Sequence, residues 1–168
     1  MLIEKHKVDA IINIGSAGGV NCQIGDLVIS NKAFYHDVDV TAFGYNKGEI
    51  PKQPLIFTSL EQHLVLDNIL NKLPAEIHFQ QGVVATGDQF INDINKVNNI
   101  KQSYPQVKAL EMEAAAIAQI CYNYKKDFLL VKKISDLADS SASNSFKSEI
   151  TNFDEKVGQL VKLIIATN

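Results

Sequence analysis

An α/β protein, with a single mixed β-sheet flanked by helices, is the fold this sequence predicts, on three observations. Short apolar runs, such as residues 10–14 (AIINI) and 107–110, alternate with longer segments of helical periodicity, the pattern of a sheet with helical connections. Residues 128–131 (FLLV) have the unbroken apolar character of a strand buried on both faces. Two carboxylate motifs, Glu111-Met112-Glu113 and Ser135-Asp136, each stand where an apolar run ends, and strand ends are where open α/β sheets bind ligands.

Taken in order, residues 10–14 read as a strand running into a glycine-rich turn at residues 15–19 (GSAGG). Residues 26–35 read as a second strand centred on Leu27, Val28 and Ile29. Residues 36–54, with Gly44, Gly48, Pro51 and Pro54, form a long loop; loops of that length are usually functional. Ser59 and Gln62 have capping-box spacing ahead of a stripe of Leu60, Leu64, Ile69, Leu70 and Leu73, stopped by Pro74. Residues 77–86 form another strand. Asp93 caps a helix carrying Ile94, Val97 and Ile100 that ends near Pro105. Residues 113–124 are a helix apolar almost all round, hence buried. Residues 128–134 are a strand and residues 140–148 a serine-rich loop. Ile150, Phe153, Val157, Leu160 and Ile164 stripe a last amphipathic helix.

The chain has 168 residues, 46% of them hydrophobic, enough for one domain over residues 1–168 that buries roughly 70% of its unfolded surface. A net charge of -3 and a pI near 5.8 give no basic footprint for nucleic acid. The longest apolar runs are too short to cross a membrane. Cys22 and Cys121 have neither metal nor disulfide-framework spacing, so a reduced, cytoplasmic protein is expected. No cofactor motif stands out. His36, Asp37 and Asp39 match no standard metal spacing, and solvated loop residues are the expectation there.

Glu113, at a helix start, could simply favour the helix dipole, worth ~0.3–1 kcal/mol, or be an ionised acceptor for ribose hydroxyls. Glu111, two positions earlier in an alternating strand, points the other way and is set aside. Asp136 could cap a turn or be a buried acid that donates to a purine ring nitrogen, with Ser135 fixing its geometry. Two carboxylates at one site suit chemistry in which one delivers a proton and the other steadies positive charge on a sugar.

The stretches IINIGSAGG (11–19), GDLVIS (25–30), YHDVDVTAFGY (35–45), TGDQFI (86–91), ALEMEAAAIAQ (109–119) and KKISDLAD (132–139), in this order, resemble the methylthioadenosine/S-adenosylhomocysteine nucleosidase family of the purine nucleoside phosphorylase superfamily. The resemblance implies a nucleoside phosphorylase-like fold. It also implies hydrolysis of the N-glycosidic bond of 5'-thio-substituted adenosines, in methionine salvage. On it, Asp136 looks like the acid that protonates adenine at N7, helped by Ser135. Glu113 looks like the ribose ligand, Met112 a sugar-face contact, Phe90 and Ile91 the adenine pocket, Phe146 a cleft residue, and Ser16 a contact near the ribose and attacking water. Phe43 and Pro51 resemble a loop that lines the neighbour's alkylthio pocket, which implies a homodimer. Lys132 stands where the family commonly has arginine, a substrate-side position.

Family members carry further strands and a helix before the stretch matching Val8-Asp9-Ala10, including a GAMxxE-type motif whose glutamate activates water. Relative to them the chain is expected to be N-terminally truncated, with an open sheet edge. Glu4 is a poor substitute: roughly ten residues of extended chain at ~3.3 Å each would hold it ~30 Å away. Two other readings stay open. One is a phosphorolytic relative that uses phosphate instead of water; the other is a purine-binding or dimerising remnant without turnover.

Overall fold

Residues 2–62, 65–75, 77–149 and 155–167 are described by the computed structural model. The strands are β1 (Ala10–Gly19), β2 (Leu27–Ser30), β3 (Lys32–Tyr35), β4 (Phe57–Thr58), β5 (Phe79–Gln81), β6 (Val83–Thr86), β7 (Val107–Glu111) and β8 (Asp127–Asp136). The helices are α1 (Leu2–His6), α2 (Leu66–Leu70), α3 (Ile94–Ser103), α4 (Ala114–Tyr124), α5 (Ala142–Glu149) and α6 (Glu155–Thr167), with a 3-10 turn at Thr41–Phe43. The strands make one mixed sheet in the order β4-β3-β6-β7-β1-β8-β2-β5, the expected class.

Strands β3, β6 and β7 are mutually parallel, and β1 and β8 are parallel to each other. The two sets run in opposite directions and meet where β1 touches β7 at Gly18↔Leu110 and Gly19↔Ala109. Two sets of strand C-termini therefore converge at one place. Past Glu111 the chain leaves the sheet as α4. Among the described residues the remaining length of that β1 edge has no strand beside it, and the buried Asn13 Oδ1 there has no hydrogen-bond partner. Within the described residues the first part of β1 is thus unpaired on its β7 side.

Helix α4 covers one face through Ala114, Ala115, Ala118 and Cys121, packed on Phe128, Leu130 and Ile134. The other face carries α2 and α6 against Leu129 and Val131, and α3 against Ala85 and Leu110. Strand β8 is buried on both faces along its whole length, as its apolar sequence requires. Val157, Leu160 and Ile164 are the buried stripe of α6; Ile150 and Phe153 of the expected stripe lie outside the described residues. Asp93 caps α3, accepting from Asn95 N at 2.8 Å. Helix α4 is less enclosed than expected, with Ile120, Tyr122 and Tyr124 facing solvent.

Several elements differ from the sequence reading. Residues 15–19 are not a turn but the second half of β1, because β8 and then β7 satisfy their backbone groups. The strand read over residues 26–35 breaks at Asn31, and the one over residues 77–86 breaks at Gly82, with strand structure beginning only at Phe79. The two breaks are adjacent: Ser30 Oγ donates to Gly82 O at 2.6 Å. A Cβ at Gly82 would lie 2.2 Å from Lys108 Cγ and 2.8 Å from Gln106 O, so only glycine fits this crossing. Ser59 caps no helix; its Oγ accepts from Phe128 N at 3.1 Å. The helix that follows is only Leu66–Leu70, held by Glu61 Oε1 accepting from Leu66 N at 3.1 Å; Leu60 is exposed and Leu64 lies outside the described residues. The serine-rich segment is helix α5, since the buried Ala142 and half-buried Phe146 dock it on β8 and Lys133 pairs with Glu149 at 3.3 Å. Packing here outweighs the modest helix propensity of serine. Glu4 lies in helix α1 rather than in extended chain, and its Oε1 accepts from Tyr124 OH at 2.6 Å.

One ion pair laces the two halves of the sheet. Lys132 on β8 is paired in register with Gly15 on β1, and its Nζ passes that glycine, 3.4 Å from where a Cβ would stand. It ends 2.8 Å from Glu111 Oε2 on β7, with both side chains buried. Burial alone raises the pKa of Glu111, but the Lys132 charge and hydrogen bonds from Lys132, Thr86 and Ala114 outweigh it and hold the group below its ordinary 4.5. Lys132→Met leaves Glu111 buried and uncompensated. Urea unfolding at neutral pH should show a loss of about 3–5 kcal/mol. A depressed carboxylate stabilises fully above its unfolded value and loses that contribution as pH falls through its folded value. The wild-type contribution should hold down to about pH 4.5, and the difference from the variant should shrink as pH falls, starting where the variant's uncompensated Glu111 takes up its proton. A cost that does not change with pH would contradict an ionised Glu111.

Candidate active site

The converging ends of β1, β7 and β8 enclose a cleft of about 160 Å³. Ser16, Ala17 and Gly18 form its β1 wall, Leu110 to Glu113 its β7 wall, and Ser135 and Asp136 its β8 wall. Phe90 and Phe146 face each other edge-on across the mouth, ring centroids 5.8 Å apart. Ile91 is buried in a small adjoining cavity of about 30 Å³ that shares Phe90, Met112 and Asp136.

Asp136 reaches the cleft through a β-bulge. Register with β1 runs Ala17↔Ile134 and then Gly18↔Asp136, leaving Ser135 as the extra residue. Bulges of this kind re-aim side chains beside functional sites. Asp136 is 2% exposed. Its Oδ2 accepts from Ser135 Oγ at 2.9 Å and its Oδ1 from Ala138 N at 2.9 Å, which fixes the plane of the carboxyl. A Cβ on Gly18 would stand 3.0 Å from Oδ1, so the glycine leaves the carboxyl uncrowded on the cleft side. Gly18 thus clears space for the Asp136 carboxyl.

Glu113 is the N-cap residue of α4, yet its side chain makes no capping bond. The first amides of the helix go elsewhere. Glu111 Oε2 accepts from Glu113 N at 3.1 Å and from Ala114 N at 2.9 Å, and Oε1 also lies 2.9 Å from Ala114 N. Thr86 Oγ accepts from Ala115 N at 2.8 Å while donating to Glu111 Oε1 at 2.5 Å. Glu113 is exposed on the cleft wall, where its carboxylate can accept from a ligand.

Of the residues singled out from sequence, Ser16, Phe90, Met112, Glu113, Ser135, Asp136 and Phe146 meet at this cleft, with Ile91 next to it. Phe43 and Pro51 do not; they are exposed on the long loop, Phe43 at 80%. Lys132 is absent from the cleft wall because Glu111 holds its ammonium beneath it. Glu111, set aside on strand alternation, lines the cleft after all. It does face the interior, as alternation demands, but at the last residue of β7 the interior is the cleft floor. Its signal in the sequence was its place just ahead of a helix start, where a carboxylate can collect helix amides. Thr86 carried no comparable signal.

His36 is buried, with Nε2 unpartnered and its pKa lowered chiefly by burial. Asp37 accepts from Asp88 N and Asp39 from Thr41. Among the described residues no cluster of three or more His, Cys, Asp or Glu could hold a metal, and no helix is long and apolar enough to cross a membrane.

Comparison with known proteins gives a consistent picture. The Phosphorylase superfamily pattern matches residues 1–166. The 5'-methylthioadenosine/S-adenosylhomocysteine nucleosidase of Haemophilus ducreyi is 41% identical over 163 residues, covering 96% of this chain and 70% of that protein. The nucleosidase of the same name from Tolumonas auensis is 39% identical over 150 residues, and the match covers 88% of this chain but 65% of the relative's length. The crystal structure of the Neisseria meningitidis nucleosidase in complex with methylthio-immucillin-A superposes with a TM-score of 0.91 at 34% identity, covering 99% of this chain and 73% of that one. This chain therefore belongs to the phosphorylase superfamily and, within it, to the 5'-methylthioadenosine/S-adenosylhomocysteine nucleosidase family.

Proposed function

We propose that this chain carries the base-releasing half of a nucleosidase site, which hydrolyses the N-glycosidic bond of 5'-methylthioadenosine and S-adenosylhomocysteine to give adenine and the thioribose. The observation that carries the reading is that Asp136 and Glu113 line one cleft in contrasting surroundings, the first buried and hydrogen-bonded, the second on the exposed wall. Asp136 donates a proton to adenine N7 as the bond between C1' and N9 breaks, so the bonding electrons leave on a neutral base. Ser135 holds the carboxyl in plane. Glu113 accepts hydrogen bonds from the ribose hydroxyls and steadies the oxocarbenium-like sugar. Met112 and Ser16 contact the sugar, and Phe90, Ile91 and Phe146 enclose the base. Water adds to C1' and loses a proton. The three cleft carboxylates, Glu111, Glu113 and Asp136, are otherwise engaged, which assigns that proton to a base beyond these residues. Lys132 acts on the site only through Glu111.

The relatives' names support the substrate class. The absence of any needed co-substrate separates this reading from phosphorolysis. Adenine release from methylthioadenosine in phosphate-free buffer, unchanged by added phosphate, is the expected result; strict phosphate dependence would make the enzyme a phosphorylase. Asp136→Asn should lower release by ~10²–10⁴-fold, and a fully active variant would sink the acid assignment.

The protein acts as a cytoplasmic homodimer in this reading. Phe43 is 80% exposed and does not line the cleft of its own chain, which leaves it available to a neighbour. Sedimentation should give twice the 18.6 kDa chain mass, and Phe43→Asp should shift it toward the single chain. A wild-type monomer at micromolar concentration would contradict the dimer.

A further inference from the structure

We propose that Glu111 and Thr86 are positioning residues for the ribose ligand Glu113, an inference that rests on the nucleosidase reading. A glutamate at a helix N-cap has a competing use, since it can fold back onto the first helix amides, which lack partners within the helix. In this chain those amides are already taken. Glu111 accepts from Glu113 N and Ala114 N, and Thr86 Oγ accepts from Ala115 N. The Glu113 carboxylate makes no capping bond and stays on the cleft wall. The same backbone amide of Glu113 that Glu111 grips also anchors the start of its side chain.

The sheet presents this device as a unit. Thr86 and Glu111 are register partners on β6 and β7, and Lys132 reaches Glu111 from β8 past Gly15. Lys132 is the cation that makes a carboxylate tenable at this depth. The charge it supports is displayed to the helix start, not to the ligand. Loss of the Thr86 hydroxyl removes the acceptor for Ala115 N and one donor to Glu111. The Glu113 carboxylate is then the nearest replacement acceptor for the orphaned amide, and it leaves the ribose.

The test separates ribose binding from base binding. Calorimetry with adenine, and with a 7-deaza-adenine analogue of methylthioadenosine that has no N7 to protonate, reads the two independently. Thr86→Val should weaken the nucleoside analogue by about tenfold, the scale of a lost hydrogen bond to a charged group, and leave adenine within about twofold. Thr86→Ser should restore it. Glu111→Gln should behave like Thr86→Val; if that variant does not fold, the threonine pair still decides. In a Glu113→Gln background Thr86→Val should cost nothing further, because both changes act through one carboxylate. Equal weakening of adenine and nucleoside, or additive losses in the double variant, would overturn the positioning role. A wild type that binds the nucleoside, with Glu113→Gln harmless, would overturn it too, together with the ribose role of Glu113, while leaving the acid role of Asp136 to its own test. A wild type that binds neither ligand would remove both.

Discussion

The buried pair of Glu111 and Lys132 is the constraint on which the site depends. Two charges removed from water cost several kcal/mol each unless they meet each other and further hydrogen-bonding groups. Here the carboxylate finds an ammonium, a hydroxyl and two helix amides. Those partners come from β6, β8 and the start of α4, while Glu111 itself ends β7. Satisfying one anion therefore fixes the relative placement of three strands and a helix. The lysine runs close beside Gly15, its Nζ 3.4 Å from where a Cβ would stand. The place where two oppositely running sets of strands converge would otherwise hold loosely packed ends.

Asp136 and Glu113 are then set apart by their backbone settings. Asp136 sits beyond a bulge at Ser135, sealed from solvent, with a hydroxyl and an amide gripping one oxygen each. Glu113 sits at a helix start whose amides are occupied, so its carboxylate is presented to solvent and ligand. The first arrangement holds a carboxyl in a fixed plane at the cleft, and the second leaves one free to accept hydrogen bonds. The aromatic pair of Phe90 and Phe146 narrows the entrance, and the cleft of about 160 Å³ between them is a tight fit for a base and sugar.

Much of this was legible in the sequence because burial and periodicity leave marks. The apolar run of β8, the Asp93 cap of α3 and the stripe of α6 each follow from local pattern. The cleft residues from Ser16 to Phe146 were reached through motif resemblance, and their meeting at one place is a property of the topology. What escaped the sequence reading was non-local. Residues 15–19 carry turn composition, but Gly18 and Gly19 answer to Asp136 and Ile134, which lie more than a hundred positions away. The strands broken at Asn31 and Gly82 look continuous because each break exists to pass the other, joined by Ser30. Helix α5 contradicts its serine content because β8 offers it a surface. Glu111 was misjudged since alternation says which face a side chain takes, not what that face becomes at a strand's last residue.

A crystal structure with an uncleavable methylthioadenosine analogue would show directly whether the three carboxylates divide the work in this way. The base should lie beside Asp136 and the ribose hydroxyls on Glu113, with Glu111 still bound to Lys132 and the amides of α4 without touching the ligand. Ribose hydroxyls on Glu111, or a base bound away from Asp136, would contradict that division.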